Sequence, residues 1–245
     1  FNYAQQTLLY IPPGLPLPSS PDYTDRVLDA AAPVLRASRG RAFILFTSHR
    51  GLREGAEELH RQWGETPPFP VLIQGGASRD HLLRAFRAAG NAVLLGTGSF
   101  WEGIDVKGEQ LSCVIIDKLP FAPPDDPVVE ARIRHLKRIG RNAFNEYQLP
   151  EAVMLMKQGA GRLIRDEHDR GVLMILDERV LTKSYGRTVL ASLPRGPRLV
   201  GETIEICHGA PFDEDFYVFD EDDASRAAES AGARICLFGH THVPA

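Results

Sequence analysis

The chain has 245 residues, 28 Lys+Arg against 32 Asp+Glu for a formal charge of −4, and 43% hydrophobic residues. Apolar content is ample for one large domain or two modest ones, and the slightly acidic balance argues against a surface that coats nucleic acid everywhere, leaving room for a local basic groove. Cys113, Cys207 and Cys236 lack CxxC spacing and sit among β-branched or apolar neighbours, which argues against a disulfide framework or an iron–sulfur cluster within the chain.

The first residues, from Phe1 into the strand-like run "TLLYIP" (Thr7 to Pro12), start without Met, and the expectation is a piece of something longer. No stretch approaches the roughly 20 apolar residues of a spanning helix, and no basic-then-apolar leader is present, so a cytoplasmic chain without a membrane partner is expected. After the Pro-rich link "PPGLPLPSSPDYT", the spacing of Val27, Leu28, Ala31, Val34 and Leu35 predicts a helix from about Asp25 to Ser38. Strand "RAFILFTS", helix Gly51 to Trp63, strand "PVLIQ", helix "SRDHLLRAFRAAG" and strand "NAVLLGTG" follow in turn. Strand "LSCVIIDKL", helices from Asp126 to about Gly140 and from Pro150 to Ile164, strand "GVLMILD" and a helix from Lys183 to Leu193 complete the series.

Short apolar strands alternating with amphipathic helices indicate an α/β fold: a parallel sheet with helices on both faces. Ligands of such sheets gather beyond the carboxyl ends of the strands, so the polar chemistry is expected at one edge, around "FTSHRG", "GTGSFWEGID" and "DKLPFAPPDD". From about Pro197 the character changes to an acidic loop, an Ala-rich stretch and two strand-like runs. These 45-odd residues are too few for a core of their own, and a short partial α/β tail is expected. The division is residues 1–196 and residues 197–245.

Three stretches carry the chemistry. In "KQGAGRLIRDEHDRG", a helix would bring Gln158, Arg162 and Arg165 to one face at i, i+4 and i+7, opposite Met156, Ala160, Leu163 and Ile164. Such paired guanidiniums suit a phosphate, although two arginines at this spacing are also common on a merely solvated helix face. In "LLGTGSFWEGIDVKG", Gly96, Thr97, Gly98 and Ser99 end a buried strand with glycine freedom, hydroxyls and amides, and Glu102, Gly103 and Asp105 follow with carboxylates. A turn with a satisfied acidic pair is the alternative reading.

The order "LFTSHRGL", "GTGSFWEGIDV", "QGAGRLIR" resembles motifs IV, V and VI of superfamily 2 helicases, most closely the second, RecA-like motor domain of the DinG/YoaA/XPD-like branch. The resemblance covers roughly Phe1 to Leu193 and includes "VIIDKLPFAPPDDPV". It implies an ATP-dependent DNA helicase, with ATP and Mg2+ held between this domain and a missing N-terminal helicase domain, and with single-stranded DNA or a forked duplex as partner. It makes Arg162 and Arg165 the catalytic arginines directed at the β/γ-phosphates. Gln158, Gly161, Glu102, Gly103 and Asp105 would serve the nucleotide; Thr47, Ser48, Thr97, Gly98 and Ser99 would meet DNA phosphates, with Lys118 and Arg50 as less specific additions. The sequence contains no G-x-x-x-x-G-K-[ST] loop, no Asp-Glu-Ala-His motif and none of the branch's cluster cysteines, so an inactive isolated chain is expected.

In the tail, "HGAPFDED" and "LFGHTHVP" resemble the last metal motifs of calcineurin-like metallophosphoesterases. The resemblance implies His208, His240 and His242 as ligands of Mn2+, Fe or Zn2+. The upstream motifs of that family are absent; the Asp166–His168 match follows the arginine stretch, the wrong context. A metal-dependent phosphoesterase and a non-catalytic nucleic-acid-binding module are therefore the alternatives, and a joined reading frame near "SLPRGPRLVGE" is one expected origin of the tail.

Overall fold

The computed structural model describes residues 2–100, 106, 110–123, 125–165, 167–194, 198–200, 204–207 and 235–238. A short turn of helix, α1 (Tyr3–Gln6), leads into β1 (Thr7–Ile11), followed by α2 (Tyr23–Ala37), β2 (Ala42–Leu45), α3 (His49–Trp63), β3 (Val71–Ile73), α4 (Arg79–Ala89) and β4 (Val93–Gly96). Then come β5 (Cys113–Ile116), α5 (Pro127–Arg138), a π-helical turn (Phe144–Gln148), α6 (Leu149–Ala160), β6 (Gly171–Ile175), α7 (Arg179–Thr182), α8 (Gly186–Ser192) and β7 (Arg198–Val200).

The strands form one seven-stranded sheet in the order β3-β4-β2-β5-β6-β1-β7, every neighbouring pair parallel. Period-two alternation sends successive residues of a strand to opposite faces, so the fully apolar runs feed two cores. Phe43, Leu45, Val114 and Ile116 pack with Leu83 and Phe86 of α4 and Met156 of α6. Ala42, Ile44, Cys113 and Ile115 pack on the other side with Val27, Leu28 and Leu35 of α2 and Leu52 and Leu59 of α3. Helices therefore cover both faces, as the sequence pattern implies. Burial pushes the Cys113 thiol up to about 12, which makes it an inert core group.

The tail contributes a separate parallel pair, β8 (Ile204–Cys207) and β9 (Ile235–Phe238), among the described residues. Its histidines, His208, His240 and His242, lie outside them, and among the described residues no group of three His, Cys, Asp or Glu side chains can hold a metal. No described helix is long and apolar enough to cross a membrane.

Two expected helices change shape. The one expected from Lys183 to Leu193 is replaced by two short helices, α7 ahead of that span and α8 within it. A Cβ on Gly186 would lie 1.9 Å from the Val180 carbonyl oxygen, so the chain folds back on itself at the one residue that fits. The other is the arginine helix, which α6 ends at Ala160 rather than Ile164. The Gly159-Ala160-Gly161 stretch has poor helix propensity, and the next amides close tight three-residue turns, Arg162 N–H to Gly159 and Leu163 N–H to Ala160, both at 3.1 Å.

Candidate functional site

At the carboxyl edge of the sheet, β2 runs out through Phe46 and Thr47 into Ser48, which caps α3 by accepting the Gly51 N–H at 3.0 Å. The cap fixes where α3 begins, and Gly55 lets the helix lie directly on Phe46, whose ring sits 2.4 Å from where a Cβ would be. One strand over, Thr97 follows β4, almost fully buried; its N–H donates to Gln74 Oε1 at 2.6 Å. Gly98 is exposed with φ +30° and starts a turn of 3-10 helix through Phe100. Thr47, Ser48, Thr97 and Gly98 are thus gathered at one edge, but the Thr97 hydroxyl turns toward Gln74. The side chain of Ser99, and all of Glu102, Gly103 and Asp105, lie outside the described residues.

Between β2 and the start of α5, Asp117 follows β5 with only 3% exposure. Its Oδ1 accepts two main-chain amides, Lys118 N–H at 2.7 Å and Thr47 N–H at 3.1 Å. Burial raises its pKa to about 7, against the lowering effect of Lys118 and the two amides. Asp177, two residues past β6, is completely buried and takes Arg179 in a bidentate grip, with contacts of 2.6 and 2.9 Å, together with the Leu119 N–H at 2.8 Å. The Tyr23 hydroxyl, on α2, reaches the Asp117 carbonyl at 2.6 Å and the Leu176 carbonyl at 2.9 Å, joining the ends of both strands. Its own ionisation is pushed far up, by burial first and by the two aspartates next. A cleft of about 840 Å3 opens beside this node, with Ser48, Arg50, Asp117 and Lys118 in its wall.

The arginine stretch belongs elsewhere. Arg162 and Arg165 follow α6 and precede β6, so they lie at the amino edge of the sheet, opposite Thr47 and Asp117. Connections that return from helix to strand deliver their residues to the amino ends, so the arginines stand apart from the loops at the carboxyl edge. Leu163 and Ile164, both buried, anchor this turn in the core, and the Arg165 N–H donates to Asp169 Oδ2 at 2.6 Å. Gln6, just before β1, donates to the Asp169 carbonyl at 2.9 Å, tying the turn to a neighbouring strand start. Arg162 and Arg165 are half-buried. Gln158 Oε1 is a buried acceptor with no hydrogen-bond partner among the described residues, four positions ahead of Arg162 in the chain. These groups fit a bound nucleotide: one orphaned acceptor for a donor hydroxyl or amine, and positive charge for a polyphosphate.

Sequence reasoning missed Asp117, Asp177, Tyr23 and Gln74. Three of them had a visible signal, a polar residue directly after an apolar strand in "VLIQ", "VIID" and "LMILD". Tyr23 had none, because its hydroxyl is aimed by the packing of α2.

An all-parallel sheet with helices on both faces, carrying polar loops at its carboxyl edge and guanidiniums at its amino edge, is a RecA-like α/β fold. The fold is similar to a solved structure of apo XPD, with a TM-score of 0.62 at 20% identity over 80% of this chain and 40% of that one. A second structure, of an XPD helicase, gives a TM-score of 0.56 at 23% identity, covering 79% and 36% of the two chains. Residues 32–196 match the family model described as the helicase C-terminal domain, and the chain belongs to that family. It is 48% identical over 198 residues to the ATP-dependent DNA helicase YoaA of Escherichia coli (strain K12), covering 81% of this chain and 30% of the relative. It is 39% identical over 195 residues to the ATP-dependent helicase DinG of Mycobacterium tuberculosis (strain H37Rv), covering 79% and 29%. The chain thus spans about three-tenths of the length of the curated relatives it matches. The family match stops at residue 196, so nothing in it supports the phosphoesterase reading of the tail.

Proposed function

We propose that this chain is the second motor domain of an ATP-dependent DNA helicase, contributing the arginines of a shared nucleotide site and half of a track for single-stranded DNA. What supports the reading is the orphaned Gln158 Oε1 near the end of α6, followed by Arg162 and Arg165 ahead of β6, in a chain of the helicase C-terminal family. ATP with Mg2+ would supply the transferable phosphoryl group. Arg162 and Arg165 would then offset charge on it, Gln158 would accept a donor from the nucleotide, and the buried Leu163 and Ile164 would hold the turn in position. Glu102, Gly103 and Asp105 belong to the same proposed nucleotide set.

At the opposite edge, Thr47, Ser48, Gly98 and Ser99 offer hydroxyls and amides to phosphates, contacts that position a strand without reading its bases. Thr97 is proposed as a support for that loop through Gln74.

The sequence holds no phosphate-cradling loop with its lysine, so the isolated chain is expected to hydrolyse ATP at background rate while binding a labelled oligothymidylate weakly, with affinity falling as salt rises. DNA-stimulated turnover by the purified chain that Arg165→Ala abolishes would sink the shared-site reading; absence of any single-strand binding at low salt would sink the track.

A further inference from the structure

We propose that Asp117 is a positioning residue for the DNA track: its buried carboxylate sets the spacing between the loop after β2 and the loop after β5. The inference rests on the track reading above and adds a residue and a pH response to it.

The carboxylate is where four elements meet. Oδ1 takes the Thr47 N–H of one loop and the Lys118 N–H of the next, while the Asp117 carbonyl is held by Tyr23 of α2, whose hydroxyl also reaches Leu176 at the end of β6. The Thr47 amide stands one residue before Ser48, the cap that starts α3. Moving Thr47 away from Asp117 therefore moves the hydroxyl pair and the first turn of α3 together. On the other side, the same oxygen fixes the main chain of Lys118, whose ammonium lies 5.8 Å from the Tyr23 ring centre. Ser48, Arg50 and Lys118 line one cleft with Asp117, where Arg50 is paired with Glu54 at 2.6 Å and Ser48 and Lys118 are the groups nearest the two loops.

The charged and titratable groups acting on the carboxylate are Lys118 beside it, Asp177 from the end of β6, and Tyr23 from α2, with Arg179 bound to Asp177. Asp25 of α2 and Glu57, Glu58 and Arg61 of α3 share the cleft wall with Asp117. An ionised Asp117 holds two amides by charge-assisted bonds, and a protonated one holds them more weakly. With ionisation centred near neutral, the loops tighten as pH rises and loosen as it falls.

The test compares the full chain with Asp117→Asn and Asp117→Ala, using a labelled oligothymidylate at fixed salt at about pH 6 and about pH 8, either side of the transition. Wild type is expected to bind more tightly at the higher pH. Asp117→Asn should bind at both values as weakly as wild type at the lower one, since the amide is the neutral isostere. Asp117→Ala, with no acceptor, should be weaker by about tenfold at the higher pH. The Thr47 and Lys118 amide resonances should shift with a midpoint near 7 in wild type and stay flat in Asp117→Asn. Equal pH profiles for wild type and Asp117→Asn would overturn the proposal, because the slope would then not come from Asp117. Tighter wild-type binding at the lower pH would do the same. Absence of binding by wild type at every pH is a different outcome, one that removes the track reading itself.

Discussion

Asp117 and Asp177 leave adjacent parallel strands at the same edge of one sheet, and both are almost completely buried. Asp177 is compensated by a guanidinium held bidentate, whose pKa is kept up by that carboxylate despite burial, and by the amide of Leu119. Arg179 in turn lies 5.8 Å from the Phe121 ring, which packs with Phe144 and Tyr185. Asp117 accepts hydrogen bonds, among the described residues, from main-chain amides, and the pull of Lys118 does not offset the burial that raises its pKa to about 7. The lesson is that a buried carboxylate with a matched cation is a fixture, whereas one held by amides alone stays poised between two charge states.

The largest expected effect comes from breaking the fixture. Asp177→Ala strands a half-buried guanidinium and the Leu119 amide, and breaking such a buried pair costs about 3–5 kcal/mol. Urea unfolding at neutral pH should show the chain losing most of its cooperative transition; a loss under about 1 kcal/mol would mean that Arg179 finds water instead.

Next in size is the poised group. Because the folded pKa of Asp117 is raised from 3.8 to about 7, the native state binds its proton more tightly than the unfolded chain does, so stability falls as pH rises from about 4 to about 7 and then levels. At about 1.4 kcal/mol per pKa unit, Asp117→Asn removes a penalty of up to about 4 kcal/mol at pH 8. The variant should therefore melt higher than wild type at pH 8, while the gap closes near pH 4. A gap that is the same at both values would show that the carboxylate is not the titrating group. Stability gained and DNA affinity lost in one substitution is the signature of a residue kept for position.

The smallest effect concerns the loop that Asp117 holds. Ser48→Ala deletes the cap of α3 and should cost about 1 kcal/mol, read as a lower urea midpoint. If Asp117 and the cap hold one loop together, combining Ser48→Ala with Asp117→Ala should cost less than the two separate losses added.

The strands, most helices and both covered faces were legible in the sequence, because alternating apolar runs and 3.6-residue periodicity follow directly from where side chains point. The hydroxyls of Thr47 and Ser48 were legible too, since they end an apolar run. Misplacement of Arg162 and Arg165 on a continuous helix came from extending its period through Gly159 and Gly161, where local backbone preference stops it.

By itself, then, the sequence determined the layers, the loops that carry polar groups, and the order of the motif residues, all of which are local or periodic properties. Only the tertiary structure decided that the arginines and the hydroxyls occupy opposite edges, because that depends on the direction of each crossover. It also decided that Asp117 and Asp177 differ in character. Burial, the reach of Tyr23 from α2 across 94 residues, and the presence or absence of a guanidinium are set by packing between distant segments, and no pattern within "VIID" or "LMILD" encodes them.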